Sequence, residues 1–123
     1  MIVVAKKISF DAAHWLPNYE GKCHQMHGHH WVVELAVKGL TGKDSGMVID
    51  FTYLKEFLKT IEDTFDHKVV NDVIENPTAE NICHYVLRKF LDWQNTHHEK
   101  FIGVKFSWVR IWETEDSYAL LSS

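Results

Sequence analysis

The chain has 123 residues, a formal net charge of −4 and a hydrophobic content of 46%. This length allows one domain, residues 1–123, with one hydrophobic core, and the composition is that of a soluble globular protein. Lys and Arg form no basic block, which argues against a nucleic-acid partner. No apolar run suggests a signal peptide or a membrane span, and with only two cysteines we expect a protein of the reducing cytoplasm.

Two stretches alternate between apolar and polar residues, which predicts two strands, each with one buried face. In residues 2–14 the apolar side chains fall mainly on even-numbered positions, and His14 is the last position of that set. In residues 27–37 the odd-numbered positions share one face, which starts with His27 and His29 and continues with Trp31, Val33, Leu35 and Val37. The three histidines therefore extend the buried faces of the two predicted strands.

Two helices should follow, with Asp50 and Thr78 as their N-caps. Apolar residues recur at helical spacing after each cap. In the first helix these are Phe51, Leu54, Phe57, Leu58, Ile61 and Phe65. In the second they are Ile82, Cys83, Val86, Leu87 and Phe90. Residues 101–113 and 117–121 predict two closing strands.

The order strand-strand-helix-helix-strand-strand predicts an α+β fold. We expect a four-stranded antiparallel sheet with both helices on one face. Such a sheet has open edges, and the chain carries five tryptophans. Together these features indicate that part of the surface is an interface between subunits.

The octet CHQMHGHH, residues 23–30, concentrates potential metal ligands. Residues two apart on a strand share a face, so His27 and His29 can reach one ion, whereas adjacent histidines cannot. His14 can be the third ligand if the two strands pair as a hairpin. The alternative is a half-buried, hydrogen-bonded histidine pair without metal, and the spacing alone does not decide between them.

The position of Cys23 allows two interpretations of its role. As a fourth ligand beside three histidines it would close a structural zinc site. Outside the coordination sphere it would be a thiol near a cation, which favours the thiolate and allows it to take a proton from a substrate.

Asp66 and His67 pair a carboxylate with an imidazole that it can orient. Glu113, at the end of the third strand, could accept hydrogen bonds from paired N–H donors if it is buried.

Six motifs together resemble the 6-pyruvoyltetrahydropterin synthase family and its bacterial relative, 6-carboxytetrahydropterin synthase. The match covers nearly the whole chain, and its specific part is Cys-x3-His-Gly-His with an upstream Ala-Ala-His. The motifs are FDAAH at 10–14, CHQMHGH at 23–29, MVIDF at 47–51, DH at 66–67, NPTAEN at 76–81, and Glu113.

The resemblance implies a tunnelling-fold domain, a homohexamer of two stacked trimers and active sites between subunits. It implies Zn²⁺ bound by His14, His27 and His29, with Cys23 as the catalytic base. Asp66 and His67 would form a proton relay that reaches in from a neighbouring subunit. The pterin ring would be anchored by Glu113, and the remaining substrate-binding candidates are Thr78 and Glu80 for the pterin and Lys22 for the triphosphate.

The implied substrate is 7,8-dihydroneopterin triphosphate. The pyruvoyl branch of the family eliminates triphosphate, whereas the carboxy branch also cleaves the side chain and releases acetaldehyde on the path to queuosine-type 7-deazaguanines. The short chain and ENPTAEN resemble the carboxy branch, a lyase. A folate-linked branch has Glu in place of Cys23. A non-catalytic zinc domain with Cys23 as fourth ligand is the alternative from a different class.

Overall fold

The computed structural model describes all residues, 1–123. In chain order its strands and helices are β1 (Ile2–His14), β2 (His27–Gly39), α1 (Phe51–Phe65), β3 (Lys68–Val69), α2 (Ala79–Thr96), β4 (Lys105–Thr114) and β5 (Ser117–Ser122). The α+β class and the two helices are as the sequence predicts. Neither helix is both long enough and apolar enough to cross a membrane.

The predicted four-stranded antiparallel sheet is wrong in detail. The sheet has five strands, in the order β3-β1-β2-β4-β5, and it is mixed. β1, β2, β4 and β5 pair antiparallel, and the two-residue β3 pairs parallel with β1 at Ala12 and Ala13. β3 forms because the chain turns sharply after α1. At that turn His67 has a φ of 60° and donates its backbone N–H to the Asp11 carbonyl at 2.7 Å.

Both helices begin at the predicted N-caps. Asp50 accepts a hydrogen bond from the Thr52 N–H at 2.8 Å, and the Thr78 hydroxyl accepts one from the Asn81 N–H at 3.0 Å. These side chains satisfy N–H groups that have no partner within a first helical turn. The apolar sides of both helices join the inward side chains of the sheet in one core of 22 buried residues.

The fourth strand starts later than the sequence predicts. Residues 101–104 form a turn in which the Val104 N–H donates to the Phe101 carbonyl at 3.0 Å. Gly103 has a φ of 73°, a left-handed conformation that glycine adopts without the Cβ penalty of other residues. The strand therefore begins only at Lys105.

Candidate active site

Three histidines meet where β1 ends and β2 begins. The antiparallel register places His14 opposite His27 and Ala12 opposite His29. His14 Nε2 lies 3.2 Å from His27 Nε2, and His14 is completely buried. The hairpin that the sequence analysis required for a three-histidine group is therefore present.

Backbone carbonyls fix the tautomers of two of these rings. His14 Nδ1 donates to the Pro77 carbonyl at 2.8 Å, and His27 Nδ1 donates to the Gln25 carbonyl at 2.7 Å. A neutral imidazole that donates from Nδ1 carries a lone pair on Nε2. The two Nε2 lone pairs consequently face each other, an arrangement that a cation between them stabilises.

His29 adds a third nitrogen to this group. Its Nε2 is buried and makes no hydrogen bond. Burial is the largest influence on this ring and, with the neighbouring histidines, it lowers the pKa of His29 against the opposing effect of the Glu113 charge. His29 is therefore a neutral imidazole near pH 7, the form that binds metal.

Glu113 is the fourth member of the group. Ligand atoms of His14, His27, His29 and Glu113 all lie within 4.8 Å of one another. Glu113 Oε1 is 3.2 Å from His29 Nε2 and 3.6 Å from His14 Nε2. Contact with the His14 imidazole keeps the pKa of the Glu113 carboxyl below its ordinary value, although partial burial opposes this. The group therefore contains one carboxylate.

The donor set fits a zinc ion. Zinc binds imidazole nitrogen at about 2.0–2.1 Å in a tetrahedron, so neighbouring ligand atoms are about 3.3–3.4 Å apart. The separation of 3.2 Å between His14 Nε2 and His27 Nε2 is close to that edge. With the tautomers already set and His29 Nε2 left without a hydrogen bond, the structure can hold a metal here.

Cys23 and Lys22 lie together in a 3₁₀ turn, residues 22–24, between β1 and β2. The Cys23 side chain is half-buried and is not a member of the four-residue group. Its carbonyl accepts a hydrogen bond from the Leu16 N–H at 2.8 Å, which fastens the turn to the residues after β1. The Cys23 thiol therefore lies outside the group formed by His14, His27, His29 and Glu113.

Asp66 and His67, predicted as a carboxylate next to an imidazole that it can orient, are in contact directly after α1. His67 Nδ1 lies 3.0 Å from Asp66 Oδ2, and Asp66 Oδ1 accepts the Asp11 N–H at 3.1 Å. That backbone hydrogen bond is the main cause of the lowered pKa of Asp66. His30 extends the arrangement, because its Nδ1 lies 2.8 Å from Asp11 Oδ1.

Some of the candidate residues line the same cavity. A cavity of about 500 Å³ is lined by both His29 and His67. A second, of about 370 Å³, is lined by Glu80 and Glu113. Lys22 and Cys23 line neither of these two cavities. Within one chain, His67 therefore shares a cavity with His29, and Glu80 shares one with Glu113.

Sequence reasoning missed the groups that orient the ligands. The carbonyls of Pro77 and Gln25 hold two imidazoles, yet every residue has a carbonyl and its direction leaves no trace in residue type. Asp11 was also missed as the hub that holds Asp66 and His67. These contacts use the backbone N–H and carbonyl of Asp11, so its residue type gave no signal for them.

Known proteins are similar to this chain in sequence and in fold. The family model of 6-pyruvoyl tetrahydropterin synthase matches residues 3–123. A protein of Archaeoglobus fulgidus is 39% identical over 118 residues, which cover 96% of this chain and 93% of the relative. The 6-carboxy-5,6,7,8-tetrahydropterin synthase of Synechocystis is 38% identical over 96 residues, covering 72% of this chain and 74% of the relative.

Among solved structures, 6-pyruvoyl tetrahydropterin synthase of Caenorhabditis elegans superposes with a TM-score of 0.81 at 25% identity, covering 99% of this chain and 95% of that one. The family match extends over almost every residue, and it includes all three histidines, Cys23, the Asp66–His67 pair and Glu113. The chain belongs to the 6-pyruvoyl tetrahydropterin synthase family.

Proposed function

We propose that this chain is a zinc-dependent 6-carboxy-5,6,7,8-tetrahydropterin synthase that acts on 7,8-dihydroneopterin triphosphate in queuosine-type 7-deazaguanine biosynthesis. The observation that carries the proposal is the convergence of three imidazole Nε2 atoms, two of them held in the metal-binding tautomer by backbone carbonyls. The name of the Synechocystis relative, at 38% identity, supports the carboxy branch.

His14, His27 and His29 would hold the zinc ion. When bound, zinc supplies Lewis acidity that polarises the side-chain oxygens of the substrate and acidifies the neighbouring C–H and O–H groups. The three ligands are neutral donors, so the positive charge of the ion is retained for this purpose. The Pro77 and Gln25 carbonyls keep His14 and His27 aimed at one point.

Cys23 is assigned the role of base that takes a proton from the substrate side chain. The 3₁₀ turn places it four positions before His27, half-buried and outside the metal group. A cation close to a thiol favours the thiolate, which is the reactive form. The assignment requires that the thiol approaches the substrate without binding the metal.

Asp66 and His67 are assigned the proton relay on the other side of the substrate side chain. Asp66 accepts hydrogen bonds that hold its carboxylate in place, and its second oxygen orients the His67 ring. His67 has a strained backbone with a φ of 60°, a feature that often accompanies functional positions. Its side chain is 80% exposed, so the ring is accessible.

Glu113 is assigned to the pterin ring, whose amino and ring N–H groups form a donor pair that a carboxylate can accept. Glu80 lines the same cavity of about 370 Å³, and Thr78 caps the helix on which Glu80 lies. Lys22 is the candidate for the triphosphate, because a chain with a net charge of −4 needs local positive charge to bind that anion.

We propose that the 123 residues act as one domain and assemble into a homohexamer of two stacked trimers. The single core of 22 residues supports the first part. The sheet supports the second, since β5 pairs only with β4, and β1 is covered on its outer side only where β3 pairs with Ala12 and Ala13. Open edges of this kind are commonly closed by strands of another subunit.

The decisive experiment is product analysis after incubation of the zinc-loaded protein with 7,8-dihydroneopterin triphosphate. Release of both triphosphate and acetaldehyde, with formation of 6-carboxytetrahydropterin, is the expected result. Triphosphate release without acetaldehyde would assign the chain to the pyruvoyl branch. No consumption of the substrate by fully loaded protein would contradict both branches.

A further inference from the structure

We propose that Glu113 is a fourth ligand of the metal in the substrate-free protein and leaves the ion when the pterin ring binds. This inference rests on the proposed function, and it concerns how access to the metal is controlled. It gives one carboxylate two successive partners, first the metal ion and then the donor pair of the pterin.

The distances around Glu113 are those of a coordination sphere. Its Oε1 lies 3.2 Å from His29 Nε2 and 3.6 Å from His14 Nε2, and His14 Nε2 lies 3.2 Å from His27 Nε2. The edge of a tetrahedron with zinc–ligand bonds near 2.0–2.1 Å is about 3.3–3.4 Å. Three of the six distances among the four ligand atoms are therefore close to the edge of a tetrahedron that has Glu113 at a corner.

The ring tautomers limit hydrogen bonding to the carboxylate. His14 and His27 donate from Nδ1 to backbone carbonyls, so in the neutral rings their Nε2 atoms have no proton to give. His29 Nε2 makes no hydrogen bond, although Glu113 Oε1 is 3.2 Å away. A cation shared by these atoms stabilises such an approach of lone pairs.

A site closed in this way has no open position for a substrate. Structural zinc sites have four protein ligands, whereas catalytic sites keep a position for water or substrate. The charge balance also changes, because one carboxylate reduces the net charge of a divalent site from +2 to +1. Glu113 must therefore move before the substrate oxygens can reach the ion.

The surroundings of Glu113 permit this movement. Its side chain is 29% exposed and borders two cavities, of about 510 Å³ and about 370 Å³. His14, by comparison, is fully buried, and its Nδ1 is held by the Pro77 carbonyl. His29 also borders cavities, but the Glu113 side chain has more rotatable bonds than an imidazole, so it can leave the group with less movement of the backbone. A pterin in either cavity could offer its N–H donors and draw the carboxylate away from the metal.

The exchange couples ring recognition to metal access. A molecule that has suitable side-chain oxygens but no paired N–H donors cannot compensate for the lost metal–carboxylate bond, so the site stays closed to it. Binding of the correct ring thereby assembles the reactive site, which is a form of induced fit.

The test uses Glu113→Gln and Glu113→Ala, with Glu115→Gln as the matched control. Glu115 is exposed, lies just beyond β4 and undergoes the same change of charge. Zinc affinity is measured by competition with a chelator. We expect both Glu113 variants to lose about 10–100-fold or more, since even a hydrogen-bond partner of a ligand contributes that much, and the control to stay at the wild-type value.

A second measurement reports directly on the open position. In the cobalt(II) form, azide should leave the visible spectrum of the wild-type protein unchanged and should shift that of Glu113→Ala. Addition of 7,8-dihydroneopterin should make the wild-type spectrum change by itself. Circular dichroism of the metal-free variants checks that the fold is kept, and Glu113→Asp, which keeps a carboxylate, should retain part of the affinity.

Wild-type zinc affinity in Glu113→Ala, or a wild-type cobalt spectrum that responds to azide before any pterin is added, would overturn the inference. Neither result affects turnover of 7,8-dihydroneopterin triphosphate by the wild type, so the proposed function would stand. Conversely, weak zinc binding in the Glu113 variants together with no turnover by the wild type would support the ligand role and refute the proposed substrate.

Discussion

At the residue scale, the separation of Cys23 from the group of His14, His27, His29 and Glu113 bears on whether a metal bound there would be structural or catalytic. A fourth ligand from Cys23 would make the site structural, whereas a thiol beside the site can act on a substrate. In the structure the position next to the three histidines belongs to Glu113, and Cys23 lies in the 3₁₀ turn. This arrangement favours the catalytic reading.

We expect Cys23→Ala to lower kcat by about 10²–10⁴-fold, the usual contribution of a positioned general acid or base. Zinc content should not change, because the histidines and Glu113 remain. Steady-state kinetics and metal analysis test this, with Cys83→Ala as the control, since Cys83 is a buried core residue whose loss should affect stability rather than zinc. Loss of zinc in Cys23→Ala would instead identify a structural site.

The sequence predicted the strand face on which a residue lies better than it predicted the contacts of its side chain. The parity of the two strands placed His14, His27 and His29 on one buried side, and their convergence follows from hairpin pairing. It did not reveal that Glu113 lies against them, because this contact depends on how β4 is aligned with β2. Alternation within a strand fixes the face on which each residue lies, but it does not identify which residue of a strand distant in sequence lies opposite.

At the scale of elements, β2 and β4 are joined by a charged cluster on the side of the sheet away from the core. Glu34 lies opposite Arg110 and accepts hydrogen bonds from its guanidinium and, at 2.9 Å, from Trp112 Nε1. Arg110 also lies 5.0–5.2 Å from the ring centroids of Trp108, Trp112 and Tyr118. Cation–π contacts and hydrogen bonds thus act on one guanidinium.

Glu34→Gln should lower the free energy of unfolding by about 1–3 kcal/mol near pH 7, the usual value of a hydrogen bond to a charged group. Partial burial raises the pKa of Glu34, but the hydrogen bonds from Arg110 and Trp112 outweigh it and the net pKa is lowered. A lowered folded-state pKa stabilises the fold above the unfolded value, about 4.3, and this stabilisation is lost as the pH falls further through the folded pKa.

The measurement is urea unfolding of wild type and Glu34→Gln between pH 3 and pH 8. The difference between them should be constant above about pH 6 and shrink below about pH 4, following the ordinary glutamate pKa. Glu115→Gln provides the control, because Glu115 is exposed and no hydrogen bond or ion pair holds it. A difference that grows toward low pH would contradict the assigned direction of the pKa.

The long elements were predicted from sequence and the short ones were not. α1 and α2 have N-caps followed by apolar residues at helical spacing, and their starts were placed correctly. β3 has only two residues, Lys68 and Val69, too few for any alternation. It exists because the left-handed turn at His67 directs the chain alongside β1, a tertiary effect that no local pattern encodes.

At the scale of the whole molecule, the two ends of the sheet are unequal. β3 covers β1 only at Ala12 and Ala13, which leaves most of the outer edge of β1 without a partner strand. β5 is the opposite edge and exposes Tyr118 and Leu120. Edges of this length are aggregation sites unless another strand pairs with them.

We therefore expect the protein to be an oligomer at working concentration. Light scattering coupled to size exclusion should give a mass several times the 14.4 kDa of one chain, and six times that mass is expected for the hexamer. A dilution series separates a specific oligomer from concentration-dependent aggregation, since a closed assembly keeps a defined mass. A fully active monomer would refute the proposed assembly.

Assembly also determines which chain supplies the proposed proton relay to a given active site. The resemblance to the family implies that Asp66 and His67 serve the site of a neighbouring subunit. The structure offers an arrangement within one chain as well, because His67 and His29 line the same cavity of about 500 Å³. The two arrangements predict different behaviour when defective subunits are mixed.

Cys23→Ala and His67→Ala should each be inactive, and mixing them under conditions of subunit exchange distinguishes the arrangements. If His67 acts across the interface, a site is intact when its own chain keeps Cys23 and its neighbour keeps His67. In a random mixture of equal amounts, each of these two conditions is met half of the time. About a quarter of the wild-type activity per site is therefore restored. If both groups come from one chain, every site lacks one of them and the mixture stays inactive. A mixture of His67→Ala with Asp66→Ala, whose defects lie in the same relay, is the matched control and should stay inactive in both cases.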